Sequence, residues 1–369
     1  MKSMILNRMR DLDYSLLIAI LLLAGFGLIM VYSSSSTLAY LNYGTTDYFF
    51  IRQLRSLLLG LVLLFIFIPF QLYNKMSPLL VMLSIVLLIL VLIPGIGVER
   101  NHSQRWIQVA SFLFQPAEFI KLFILIYFAS FYSKKRHLIT QFRTRVLPPL
   151  FILAIVFLLI LQQPDLGTAT LILIACAVIV SCSGVKWSHL AILGSIGITG
   201  IGYFAYSSPY RVERLTSFAN PFNDIFGDGY QLVNSYVAIG SGGILGNGLG
   251  NSIQKLGYLP EPHTDFIMAI ILEELGIFGL IFVIGIYIFL MHRGIRIAKD
   301  CSEMFPKLLA IGITFQIMTQ VIFNLGAVSG LLPITGIPLP LISYGGSSIL
   351  ITMISIGVLL HVSTAENKA

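Results

Sequence analysis

The sequence predicts an all-α integral membrane protein with about ten transmembrane helices and one large extracytoplasmic loop between the seventh and the eighth. Three observations carry this. The chain is 57% hydrophobic and only 11% charged, with mean hydropathy +0.90, which lies outside the range of soluble domains of 369 residues. Apolar runs of bilayer-crossing length recur along it. Basic residues collect on alternate loops, the pattern that sets membrane orientation.

The expected spans are Tyr14–Tyr32, Leu54–Ile68, Met76–Pro94, Phe112–Tyr132, Val146–Leu161, Thr168–Ser183, Trp187–Tyr206, Phe266–His292, Leu308–Gly330 and Leu339–Val362. The first is long and no small-residue cleavage site follows Tyr32, so it reads as a span rather than a removable signal peptide. The fifth and sixth are short enough to be tilted or partly irregular. With both termini cytoplasmic, 15 of the 23 Lys and Arg fall inside but only five of the 16 acidic residues. Lys134, Lys135, Arg136, Arg143 and Arg145 share one inner loop; Arg293, Arg296, Lys299 and Lys307 share another. The basic balance therefore reflects topology and anionic lipid, with no nucleic-acid partner implied. Arg52 and Arg55 depart from the pattern, at the outer start of the second span. Residues 1–369 read as one membrane domain without internal repeats. Three cysteines make no disulfide frame, and no Cys/His cluster has structural zinc spacing.

The long polar stretch, Ser207–Pro262, ends in YLPEPHTDF immediately before an apolar run. Asp265 therefore sits where water gives way to hydrocarbon, with Glu273 and Glu274 about two turns deeper. An ionised carboxylate at bilayer depth costs roughly 2.5–3.5 kcal/mol even on mild scales, so such groups usually serve a purpose. Glu118, Asp165 and Asp265 each follow a proline-bearing helix entry on the outer side. Each has a plain structural reading. Glu118 and Lys121, three apart, can pair on one helix face. Asp165 and Asp265 can cap helices. Glu273 and Glu274 divide between the bundle interior and a neighbour. Trp106 suits an interfacial anchor as well as a substrate platform, and His263 a structural ring as well as an acid/base group. In the loop, Arg211, Glu213 and Arg214 can cover headgroups while Phe218, Phe222 and Phe226 enter the interface. The glycine run Ala238–Ser252 lacks both the Walker pattern and a strand-embedded GxGxxG, which favours tight packing over a phosphate cradle.

Several strings together resemble one family. RWI (Arg105 to Ile107), FQPAEFIKL (Phe114 to Leu122), QQPDLGT (Gln162 to Thr168), QKLGYLPEPHTDF (Gln254 to Phe266), EELG (Glu273 to Gly276) and SGLLPITGIPLPLISYGGSS (Ser329 to Ser348) look like the SEDS family. These are the polytopic shape, elongation, division and sporulation proteins of bacteria. The run GNGLGNSIQKLGYLPE is more similar to the FtsW branch than to the RodA branch. The resemblance implies a peptidoglycan glycosyltransferase of the bacterial cytoplasmic membrane, polymerising lipid II at its outer face beside a class B penicillin-binding protein and other division or elongation proteins. It makes Asp265 the essential acid, Glu118 and Lys121 an acid and base of the central cavity, Arg52 a cavity arginine and Trp106 the tryptophan after the third span. Ala117 and Asn220 depart from residues common in the family and touch none of these.

The implied step is a single inverting displacement with Asp265 as base. Arg52, Lys121, Arg211, Arg214 and Lys255 are the cations available to the leaving diphosphate. The chain shows no metal cage of its own, so a divalent cation such as Mg or Mn would bind together with the diphosphate. A lipid II flippase and a non-catalytic division scaffold are the rival classes. The first needs equal access from both faces, whereas the acids and polar loops gather on one. The second leaves the intramembrane acids unexplained.

The charge pattern is tested by labelling single cysteines in a background lacking the three native ones. Ser217→Cys should react with an impermeant maleimide in intact cells, and Ser133→Cys only after permeabilisation. The reverse result would overturn the orientation.

Overall fold

The structure, a computed structural model, describes residues 12–66, 69–100, 103–109, 112–134 and 146–366. Lys135, Arg136, Arg143 and Arg145 lie outside the described residues. The helices in chain order are α1 (Tyr14–Tyr43), α2 (Tyr48–Leu64), α3 (Phe70–Leu92), α4 (Pro116–Lys134), α5 (Leu147–Leu161), α6 (Leu166–Cys182), α7 (Trp187–Tyr206), α8 (Pro209–Ala219), α9 (Tyr230–Gly242), α10 (Ile267–Asp300), α11 (Met304–Val328) and α12 (Gly346–Glu366). Each expected span corresponds to one helix, and α8 and α9 fall within the long loop. Among the described residues, seven helices (α1, α3, α4, α7, α10, α11, α12) are long and apolar enough to cross a membrane, while α5 and α6 are apolar but of only 15 and 17 residues.

Of the boundaries that differ from expectation, three have a clear physical reason. Helix α1 continues to Tyr43 through four consecutive serines, because Ser34 and Ser35 donate to the carbonyls of Met30 and Val31 one turn back (2.7 and 2.6 Å). Helix α4 begins at Pro116 because Phe112–Phe114 is a strand, β3, of an antiparallel sheet with β1 (Gly97–Arg100) and β2 (Ser103–Val109). The sheet holds Trp106 opposite Val98. Helix α12 begins at Gly346 because residues 331–345 run as non-helical chain within the bundle.

Helix α11 is the central post, packed against α4, α6 and α10, while α2 lies along α12. Helix α7 buries no residue and stands at the periphery. At one end of the bundle Asp13 caps α1 and pairs with Arg293 of α10 at 2.6 Å. Midway, α1 crosses the 331–345 segment at Gly27, where a Cβ would overlap the backbone of Leu341 and Ile342.

Helix α10 breaks at Gly276 (φ 60°, ψ −147°), in a region open essentially only to glycine. A break frees backbone groups that lipid cannot satisfy. The glycine run supplies the partners: Asn247 and Gly248 donate to the carbonyls of Glu273 and Glu274 (both 2.9 Å), and the Ile277 amide donates to the Ile244 carbonyl (3.1 Å). The run is thus a packing device against the kink, as its sequence favoured. A Cβ at Gly276 would strike the backbone of Ile244 and Gly246, whereas one at Gly285 on the same helix meets nothing within 4 Å. Gly276→Ala should therefore cost about 1–3 kcal/mol from backbone strain alone and lower the thermal midpoint of detergent-solubilised protein. Gly285→Ala should be neutral or stabilising by about 1 kcal/mol or less. Equal midpoints for the two would contradict the clamp.

Candidate active site

Asp265 ends the short loop that enters α10, and its placement is over-determined. Phe266 is fully buried beside it. Asn324 of α11 donates from its single side-chain amide to both the Asp265 carbonyl (2.7 Å) and the Ile337 carbonyl (2.8 Å). The Tyr344 amide donates to the His263 carbonyl (2.8 Å), and the Ser343 hydroxyl donates to the Thr264 carbonyl. Gln53 of α2 closes the ring, donating to the Ser343 carbonyl (3.0 Å) and accepting from the Gly345 amide (3.2 Å). Three helices distant in sequence thus hold one aspartate and one non-helical strap together.

The carboxylate itself is half-buried and accepts from Thr264 Oγ1 at 3.0 Å. The surrounding protein strips enough water from it to push its carboxyl up to about 6; Thr264 and the charge of Arg214 oppose the rise and Glu261 adds to it. Arg214 of α8 is anchored to the strap through the Ile334 carbonyl (3.1 Å). His263 is buried and pushed down to about 4, so it is neutral at physiological pH, its ring between Phe49 (4.3 Å) and Tyr344 (5.4 Å). That packing fits the structural reading of the ring.

Glu118 and Lys121 of α4 form a buried pair at 2.9 Å. Lys121 also donates to Gln320 of α11 (3.1 Å), and Gln320 donates to the Pro338 carbonyl (2.9 Å). Gln320 and Asn324 are four apart, so one face of α11 holds the strap at Pro338 and Ile337 and connects the Glu118–Lys121 pair to the Asp265 loop. Sequence reasoning passed over Gln53, Gln320, Asn324 and Ser343. The signal was available in two amides at helical spacing within an apolar span.

Other candidates do different work. Asp165 caps α6 through the Thr168 amide (3.1 Å), and Arg105 braces that cap by donating to the Gln163 carbonyl (3.1 Å) with Asp165 at 3.7 Å. Trp106, next to Arg105 on β2, is half-buried. Arg211 donates to the carbonyls of Phe204 (2.9 Å) and Leu161 (3.3 Å), so it closes the ends of α7 and α5. Lys255 departs most from expectation. Its ammonium donates to Glu274 (2.7 Å), the Gly250 carbonyl (2.7 Å) and Ser33 (3.2 Å), which uses all three of its protons. Glu273 and Glu274 do not divide between interior and neighbour: both are buried and both hold residues 250–255. Arg52 is exposed, its guanidinium 4.5 Å over the Tyr48 ring. Among the described residues, no group of three or more His, Cys, Asp or Glu is placed to hold a metal.

Among the described residues seven helices are long and apolar enough to cross a membrane, the architecture of a multi-pass membrane protein. This chain belongs to the cell cycle protein family of FtsW, RodA and SpoVE, whose model matches residues 14–368. It is 43% identical to the stage V sporulation protein E of Bacillus subtilis over 95% of this chain and 96% of that protein. It is 42% identical to the probable peptidoglycan glycosyltransferase FtsW of the same organism, over 99% and 94%. Among solved structures, it resembles a chain of a peptidoglycan synthase complex that coordinates polymerization and crosslinking (TM-score 0.78, 27% identity, 97% and 99% covered). It also resembles the rod shape determining protein RodA of Thermus thermophilus (TM-score 0.71, 27% identity, 96% and 97% covered).

Lys121→Met would leave Glu118 charged and unpaired in the interior, at a cost of about 3–5 kcal/mol. The thermal midpoint should fall sharply, and the double variant Glu118→Gln/Lys121→Met should recover most of the loss. An unchanged midpoint for the single variant would remove the pair from the packing of the site.

Proposed function

We propose that this protein is a peptidoglycan glycosyltransferase that polymerises lipid II at the outer face of the bacterial cytoplasmic membrane, with both termini on the cytoplasmic side. The observation that carries the reading is Asp265, a carboxylate held through its own backbone, partly open, and desolvated toward neutrality. Such a group is poised to accept a proton near physiological pH. The family and its named relatives support the reaction class.

The acceptor's sugar hydroxyl lies against Asp265. Its proton passes to the carboxylate as its oxygen attacks the anomeric carbon of the donor. The bond from that carbon to the diphosphate breaks with inversion, turning the α-linked donor into a β-linked chain, and the undecaprenyl diphosphate leaves with the electron pair. Arg214 is the cation whose charge acts on Asp265, so it is the candidate to meet the departing diphosphate. Lys121, through Gln320 and Pro338, positions the strap instead. Arg211 and Lys255 are occupied elsewhere. A Mg or Mn ion would be held by the Asp265 carboxylate only together with substrate phosphates, and when bound would neutralise diphosphate charge. A class B penicillin-binding protein is the partner that the solved complex suggests, alongside other division or elongation proteins.

Asparagine keeps the size of aspartate and removes its basicity. Asp265→Asn should retain its thermal midpoint and insertion, yet lose about 10²–10⁴-fold of polymerisation from labelled lipid II. Near-wild-type polymer from this variant would sink the assignment. A second test uses pH. The base must be ionised, and its carboxyl lies above the ordinary aspartate range, so activity should fall as pH drops through about 6. An acid limb near the ordinary value of 3.8 would contradict the desolvated base.

A further inference from the structure

Helix α2 carries two adjacent stripes at helical spacing. Phe49, Gln53 and Ser56 face the site: Phe49 packs on His263 and Tyr344, Gln53 holds the strap at Ser343, and Ser56 is buried. One residue earlier on each turn are Tyr48, Arg52 and Arg55, and both arginines are exposed. Tyr48 stacks flat on Tyr43 (3.6 Å, 9° between planes), and Arg52 lies over the Tyr48 ring at 4.5 Å while bonding to Tyr344. The order Tyr43, Tyr48, Arg52 makes a continuous stack. Tyr43, at its outer end, keeps half of its surface exposed (50%).

Lipid does not account for this surface. Helix α1 has 30 residues, about 45 Å, which exceeds the bilayer hydrocarbon of about 30 Å by several turns. Its start is tied to the far end of α10 by Asp13 and Arg293. With Asp13 at the inner boundary, that length would carry Tyr43 past the outer edge of the hydrocarbon. The same arginines are among the few basic residues that depart from the positive-inside pattern, on a side that holds most of the acids.

We propose that the Tyr43–Tyr48–Arg52–Arg55 rim is a binding track for the growing glycan, beside the site on which Asp265 acts. This deepens the polymerase reading and rests on it for the ligand's identity. An aromatic face suits the apolar face of a pyranose ring. Two arginines suit carboxylates, which peptidoglycan carries on its peptide stems and which an N-acetylhexosamine chain alone lacks. From Tyr48 to Arg55 the stripe runs about 10 Å, the scale of a disaccharide, and it adjoins Asp265 through Phe49 and His263. A track here would retain product between additions and so set chain length.

The test uses the full chain in zwitterionic nanodiscs. The first arm measures binding of a soluble, uncross-linked glycan tetrasaccharide with its stem peptides. Wild type should bind. Tyr43→Leu should weaken binding about tenfold, as expected for one lost aromatic contact; Tyr43→Phe should bind as wild type; and Arg55→Gln should weaken binding to the stem-bearing glycan but not to a tetramer of N-acetylglucosamine, which has no carboxylate. The second arm measures product length from lipid II, which should shorten for Tyr43→Leu and Arg55→Gln and not for Tyr43→Phe. No binding by wild type, or equal binding by Tyr43→Leu at an unchanged thermal midpoint, would overturn the track. So would defects seen only when anionic phospholipid is present, which would make the rim a headgroup site. Glycan binding by wild type without any polymerisation, even with its penicillin-binding partner present, would instead sink the polymerase reading and leave the track standing.

Discussion

Everything at the mouth of this bundle depends on how a non-helical stretch of backbone survives among helices that lipid surrounds. Residues 331–345 cannot bond to themselves as a helix would, and each unpaired carbonyl or amide away from water costs about 1–3 kcal/mol. Gln320 and Asn324 of α11, with Gln53 of α2 and Ser343 of the strap itself, supply the missing partners. Asp265 is held by the same bonds. The packing of the strap and the position of the carboxylate are therefore one problem with one solution. This is why polar side chains sit in otherwise apolar spans.

The same rule shapes the other irregularity. The break in α10 at Gly276 exposes backbone groups that the 244–248 loop then satisfies, and Glu273 and Glu274 anchor the chain that follows. Two buried acids and Lys255 thus serve architecture, while a third acid nine residues before Glu274 keeps its carboxylate partly open. The difference lies in partners. Glu273 and Glu274 accept several bonds from loop amides, hydroxyls and an ammonium, which consumes their lone pairs. Asp265 accepts from the Thr264 hydroxyl, and its backbone carries the positioning. A carboxylate fixed through its carbonyl keeps its oxygens for chemistry.

Much was legible in the sequence where the signal was local. The membrane class followed from apolar runs, and every expected span has its helix. Asp165 as a cap and the glycine run as a packing element were readable from short spacings. Trp106 was found as a residue but not as part of a sheet, since three short strands after a span leave too little alternation to detect. Glu273 and Glu274 were misjudged because two neighbouring acids on a helix point to different sides, and nothing local says that one loop folds back to meet both.

The sequence by itself determined that this protein lives in a membrane and which family it resembles, and it singled out Asp265 at the end of the long polar stretch. Those properties depend on composition, on motif order and on residues adjacent in the chain. Only the tertiary structure decided which side chains bond to which distant segments. Lys255 meets Ser33 222 positions away, Gln53 meets Ser343 290 positions away, and Arg214 reaches Ile334 across 120. Hydrogen bonds form between atoms close in space, and no spacing along the chain encodes which distant segments the packed helices bring together.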